Sequence, residues 1–350
     1  MSLNTVENGR RAPVSLRNFV SLRGCILASI PIYVICIAVT LFYFTPTTSL
    51  EELFAALTSY DKTDLIHYVV VEIKIPRILG GIIVGGILAV GGATMQGITK
   101  NYLSSPDVVG VDSGASLGLA ISMAITGGMT SYANNILWSM VGAAVSTVII
   151  FTISSRIRGR ESGVKLLLAG SAIGMLFSGL AMSINIMSGM GKAINLWNSS
   201  GLMGMKWLGI GVLMLGVLGA AIALVIAPRI TILGMGDEMA ISLGQNVKLT
   251  KLLGVISVVF ISSATVCTVG NIGFIGLIVP NMVKMAVGDN YRKILPISAY
   301  FGSMLLLFSD VVSRLVNPPS EAPIGTITSI IGIPVFLYLI NAKQVKGSLG

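Results

Sequence analysis

At 350 residues the chain has the length of two or three globular domains, but hydrophobic residues make up 54% of it, charged ones only 11%, and mean hydropathy is +0.88. A soluble protein carries about 25% charged residues, so this composition excludes a soluble enzyme, a disordered region and a secreted disulfide scaffold, and specifies an integral membrane protein. The net charge of +9 fits Lys and Arg collected in cytoplasmic loops and is not assigned to nucleic-acid binding.

In chain order, residues 1–23 carry Arg10, Arg11, Arg17 and Arg23 and are expected to form a cytoplasmic tail. The apolar run 24–44 is too long for the ~7–15-residue core of a cleaved signal and has no small-x-small site after it, so it is expected to be retained as a span. Outside it, Ser49-Leu50-Glu51-Glu52 has the form of a capping box, predicting a surface helix over 50–58. A spanning helix needs roughly 20 apolar residues. Nine further candidates follow: 78–98, 114–126, 136–155, 164–188, 207–227, 252–269, 272–287, 294–315 and 324–340, with a cytoplasmic tail over 341–350. The third and eighth of the ten are short, which predicts irregular segments buried among other helices, because lipid cannot satisfy broken backbone.

With the N-terminus inside, these spans put both termini inside and divide the 23 Lys and Arg residues into 17 inside and six outside. That asymmetry supports the orientation. Residues 24–340 are therefore expected to form one polytopic domain, and five-plus-five inverted repeats of the kind many transporters use remain open. Glycine, at 41 residues, suits close backbone packing between membrane helices. Cys25, Cys36 and Cys267 lie in apolar runs without paired spacing and read as small hydrophobes.

Catalytic signatures are missing. His67 is the only histidine and reads as a plain loop residue. No metal, thiol or serine-hydrolase motif occurs, and neither does the G-x-x-x-x-G-K-[ST] phosphate loop, so the chain is not expected to bind a metal or to hydrolyse ATP. Ion-coupled transporters bury carboxylates in their spans. Here the one acid read inside a span is Asp310, four residues before Arg314, where an i, i+4 pair can satisfy itself. A secondary transporter and an intramembrane enzyme are thus both disfavoured, and the energy for transport must come from elsewhere.

Two places invite partners. In the longest inner loop, Gly236, Asp237, Glu238, Met239, Ala240, Leu243 and Gly244 spell a short helix, with Asp237 expected as N-cap and Gly244 as the C-terminal stop. Met239, Ala240 and Leu243 are expected on one side, either against a partner groove or flat on the membrane domain. At the outer side Lys74 and Arg77 stand at the mouth of the second span and Arg314 at the mouth of the ninth. They are either helix-end anchors or a docking patch for an acidic partner, and the residues alone leave both open.

Several ordered motifs carry a resemblance: Lys74-Ile75-Pro76-Arg77; Gly91-Gly92-Ala93-Thr94-Met95-Gln96-Gly97; Asn101-Tyr102-Leu103-Ser104-Ser105-Pro106-Asp107 with Gly110 and Ser113-Gly114-Ala115; Gly273 through Pro280; and Pro323-Ile324-Gly325 through Gly332-Ile333-Pro334. From about residue 73 to 340 the chain resembles the FecCD-type permeases of iron–siderophore and vitamin B12 ABC importers. It departs from that pattern at Lys74, Tyr102, Asn281 and Lys284, where the family usually has Arg, Pro, His and Arg.

The resemblance implies an all-α permease of the type II ABC importer architecture in a bacterial cell membrane. It also implies a second permease subunit, two cytoplasmic ATPase subunits that use ATP and Mg and engage the 236–244 helix, and an extracytoplasmic binding protein that meets Lys74, Arg77 and Arg314. By the same resemblance the fifth span lines the pathway, offering Ser171, Met175, Ser178, Met182 and Asn185. The implied cargo is a ferric siderophore, with vitamin B12 or haem as the alternative.

Overall fold

The computed structural model describes residues 22–44, 47–107, 110–127, 131–156, 162–189, 201–316, 318 and 320–347. The arginines expected at Arg10, Arg11 and Arg17 lie outside the described residues. Twelve helices follow in chain order among those described: α1 Leu22–Ala38, α2 Leu50–Thr58, α3 Leu65–Thr99, α4 Val111–Ile125, α5 Tyr132–Arg156, α6 Ser162–Met187, α7 Trp207–Leu233, α8 Asp237–Ser242, α9 Val247–Val269, α10 Ile275–Val287, α11 Tyr291–Val316 and α12 Ile324–Gly347. All ten predicted spans are present as helices; α2 and α8 are the two surface pieces. Among the described residues, seven helices are long and apolar enough to cross a membrane. The short ones include α4 and α10, the third and eighth spans, as predicted.

α2 begins as its sequence requires. Ser49 Oγ accepts the Glu52 N–H at 3.2 Å and the Glu52 carboxylate accepts the Ser49 N–H at 2.7 Å. α3 is longer than predicted, because Asp64 caps a start at Leu65 by accepting the Ile66 and His67 N–H groups. A π-turn over Val70–Lys74 then joins this outer turn to the apolar rod. His67 therefore sits in a helix, and its Nδ1 accepts the Asp61 N–H at 3.2 Å.

α3 is the central post, buried along most of its apolar length and packed on α11, α7, α10 and α9. Its glycines make this closeness possible at two levels. A Cβ on Gly92 would overlap the Gly276 backbone of α10, and one on Gly85 would overlap the Gly302 carbonyl of α11. Side chains of any size would push these helices apart and forfeit the dispersion contacts that hold membrane helices together. By contrast α1 lies at the edge, attached through the Tyr33–Tyr300 ring stack at 5.7 Å and a Ser29–Tyr300 hydroxyl contact at 2.9 Å.

Candidate functional site

At the inner end, α7 stops at Leu233 and the chain turns through Gly236, whose φ of 125° only glycine adopts readily. Gly236, not Asp237, is the N-cap, and no side chain caps the helix. Asp237 serves differently: its carboxylate bridges Lys100 Nζ at 2.5 Å and Lys251 Nζ at 2.9 Å. These lysines sit at the inner ends of α3 and α9, so a six-residue helix too short to stand alone is pinned to two long ones. Burial alone would raise the Asp237 carboxyl, but the bonds from Lys100 and Lys251 outweigh it and hold it below its ordinary value.

The far end closes at Gly244, with φ 77°, where the Gln245 N–H reaches the Ala240 carbonyl at 2.9 Å. Ala240 is fully buried against the membrane domain, so it does not share a face with Met239 and Leu243 as the sequence reading had it. Ile241 is exposed as well: Met239, Ile241 and Leu243 are 52%, 62% and 61% exposed, and so is Met235 ahead of the helix. Glu238 accepts the Ser242 hydroxyl through its carbonyl. The result is an apolar, solvent-facing knob on a braced helix.

At the outer end the three predicted cations do converge, but they do not face solvent. Arg77 is 6% exposed. Its guanidinium forks onto Asp310, with Nη2 at 2.7 Å and Nε at 3.1 Å, and onto Glu321, with Nη1 and Nη2 each at 2.7 Å. Arg314 shares Asp310 at 3.0 Å, donates to Thr40 at 3.1 Å and stacks over the Phe44 ring at 3.7 Å. Lys74 donates to the Leu41 carbonyl at 2.7 Å and to Thr48 Oγ1 at 2.8 Å. The physical reason is desolvation. A cation drawn into a helix bundle must find carboxylates or carbonyls there, and Asp310 of α11, the turn after α1 and the segment before α12 supply them. Lys74 and Arg77 are buried and Arg314 is largely buried, each held by partners within the chain, and both readings of these cations, helix-end anchors and docking residues, rest on that geometry. The i, i+4 pairing of Asp310 with Arg314 is present as read; Glu321, 244 residues from Arg77, has no signal in the sequence.

On α6, Met175 and Met182 are 76% and 65% exposed, Ser178 is exposed and Ser171 half-buried. Spaced by three and four, they form one face. Asn185 is buried instead, and Ser178 Oγ reaches Ser113 Oγ of α4 at 3.2 Å. No group of three or more His, Cys, Asp or Glu residues able to hold a metal occurs among the described residues. One acid was missed: Asp112, 2% exposed in the first turn of α4, so Asp310 is not the only carboxylate within a span.

Residues 32–342 match the FecCD transport family. The chain belongs to that family. It is 38% identical over 296 residues to the iron(3+)-hydroxamate import system permease protein FhuB of Bacillus subtilis, covering 84% of this chain and 77% of that one. The B. subtilis iron-uptake system permease protein FeuB is 31% identical over 87% of this chain and 91% of its own. IsdF of Staphylococcus aureus, named for heme-iron transport, is 33% identical over 79% and 83%. A solved metal-chelate type ABC transporter in an inward-facing conformation superposes with a TM-score of 0.74 at 25% identity, covering 91% of this chain and 99% of that one. This FecCD chain is thus a multi-pass membrane permease.

Three of the positions that the resemblance marks as departures meet at one place. Lys284 Nζ lies 4.3 Å from the centre of the Tyr102 ring and pairs with Asp289 at 2.6 Å, while the Asn281 amide donates to the Tyr102 carbonyl at 2.8 Å. Tyr102 and Lys284 line an inner cavity of about 470 Å³ that also reaches Lys100.

Proposed function

We propose that this chain is the permease subunit of an ATP-driven importer that carries a ferric siderophore across the cell membrane. Two copies, or this chain and a sister permease, enclose the pathway, lined in part by Ser171, Met175, Ser178 and Met182 of α6. Two cytoplasmic ATPase subunits supply the energy with ATP and Mg; this chain binds no cofactor and catalyses no reaction. An extracytoplasmic binding protein delivers the chelate at the outer mouth, where Lys74, Arg77 and Arg314 brace the docking surface from beneath. The hydroxamate and iron-uptake relatives favour an iron chelate; haem is the second reading, favoured by the likeness to IsdF.

The observation that carries this reading is the braced knob of Met239, Ile241 and Leu243. An exposed apolar cluster on a helix anchored by its own ion pairs is built to insert into a groove on another protein. Leu243→Asp would set a charge in that groove. The variant is expected to reach the membrane in normal amount yet to lose the co-purifying ATPase and all iron-chelate uptake. Normal ATPase capture and normal uptake by Leu243→Asp would remove α8 as the coupling element.

A further inference from the structure

Between α1, α7 and α11 the bundle leaves a groove of about 380 Å³, and α3 is its floor. Ile83, Gly86 and Val90 of α3 lie at the bottom, Val217 and Leu224 of α7 on one rim, and Ala299 of α11 on the other. Val217 and Leu224 are exposed, so the groove opens outward. Gly86 differs from Gly85 and Gly92, which press on other backbones. A Cβ at 86 would meet nothing closer than the Ala299 carbonyl oxygen at 3.4 Å, an ordinary contact that leaves space above the floor.

The groove lies toward the inner side of the hydrocarbon layer. Arg229 and Arg292 stand near the inner ends of α7 and α11. Measured along the helices from these two residues, the lining stretches 217–224 and 295–303 occupy roughly 5–18 Å of a ~30 Å layer. The polar side chains at its α1 wall are closed among themselves. Tyr33 donates to Ser303 Oγ at 3.2 Å, Ser303 donates to the Tyr300 carbonyl at 2.7 Å, and the Tyr300 hydroxyl meets Ser29 at 2.9 Å. A site without free polar groups does not hold water, and left empty it would forfeit dispersion contacts along every lining atom. The material that fills it is therefore hydrocarbon.

We propose that this groove binds one acyl chain of an anionic phospholipid from the inner leaflet, with the lipid phosphate held by Arg292. Arg292 precedes Leu295 and Pro296 by three and four residues on α11, which sets it on the groove's face one turn further in. Its side chain leans toward the helix N-terminus, the direction of the inner headgroups. Arg292 and the adjacent Lys293 are exposed, and among the described residues no ion pair holds either. Basic sites between membrane helices on the cytoplasmic side suit anionic headgroups. Because α1 packs on the bundle chiefly through α11, the bound chain would also fill the space between α1 and α7.

The test is native mass spectrometry of the full-length chain, purified in detergent and titrated with phosphatidylglycerol or with phosphatidylcholine of the same acyl chains. The wild type is expected to retain one phosphatidylglycerol in preference to phosphatidylcholine. Arg292→Gln, an exposed change that leaves the groove intact, should weaken phosphatidylglycerol by about fivefold and leave phosphatidylcholine unaltered. Gly86→Leu raises the floor and should weaken both lipids by about tenfold or more. Should Gly86→Leu fail to fold, Val217→Trp on the exposed rim narrows the same groove. Equal retention of the two lipids by the wild type, undiminished phosphatidylglycerol in Arg292→Gln, or full retention of both lipids with the groove filled would overturn the site. So would a dimer mass that disappears in Gly86→Leu while lipid retention stays, which would make a second copy of the chain the occupant.

Discussion

At the outer mouth three cations are paired inside the helix bundle, whereas at the inner loop three apolar side chains stand in solvent on a short helix. Arg77, Arg314 and Lys74 are closed in by Asp310, Glu321, Thr48 and the Leu41 carbonyl. Met239, Ile241 and Leu243 have no cover, and the ion pairs beneath them, from Asp237 to Lys100 and Lys251, are half in water. Charge in the first region holds the fold, since each cation joins elements far apart in sequence. In the second it only orients a small helix whose apolar residues are left for another surface.

The sharpest way to break this contrast is Asp310→Asn. It takes the shared carboxylate from two buried guanidiniums, and removing one partner of a buried pair costs about 3–5 kcal/mol. The variant is expected to give little folded protein on size exclusion in detergent, and what folds should melt well below wild type. A melting point within a degree of wild type would mean that the outer cluster is ornamental and that the two ends do not differ. Glu321→Gln tests the same cluster more gently. Glu321 is only one-fifth exposed, but Arg77 keeps Asp310, and the loss is that of a charge-assisted bond, about 1.5–3 kcal/mol. Its effect should vanish in an Arg77→Met background, a double-mutant cycle that separates the pair from general damage.

Much of this was legible in the residues. Ten apolar runs became ten helices, and the Ser49–Glu52 box fixed the start of α2. The shortness of the third and eighth spans pointed to broken segments because length and composition are local properties. What was illegible depends on pairing across the chain. A hydropathy window stops at an acid, so Asp112 was left outside the third span, although the fold draws it in as the first turn of α4. Helix periodicity placed Ala240 beside Met239 and Leu243, but the angle at which Asp237 is pinned decides which side of α8 faces inward. Nothing near Glu321 announces Arg77. Within the candidate site, the presence of α8 and the convergence of the outer cations were readable; which groups are covered was not.

The smallest effect should come from the inner ion pairs, and pH reaches them without mutation. Asp237 is held below the ordinary aspartate value of about 3.9 by Lys100 and Lys251, against the opposing effect of its partial burial. A carboxylate with a depressed folded value stabilises the anchored helix fully above its unfolded value and loses that contribution as pH falls through the folded one. No change in α8 is therefore expected between pH 8 and pH 5, and loosening should begin only below about pH 4. Because the pair is half exposed, its worth is about 0.2–1 kcal/mol. The measure is hydrogen exchange at the Ala240, Leu243 and Gln245 amides, corrected for the intrinsic rate. Protection there should drop by no more than about fivefold in Asp237→Asn at pH 7, while the outer segment around Arg77 keeps wild-type protection. If Asp237→Asn instead melts the whole bundle, the inner ion pairs support the fold as the outer ones do.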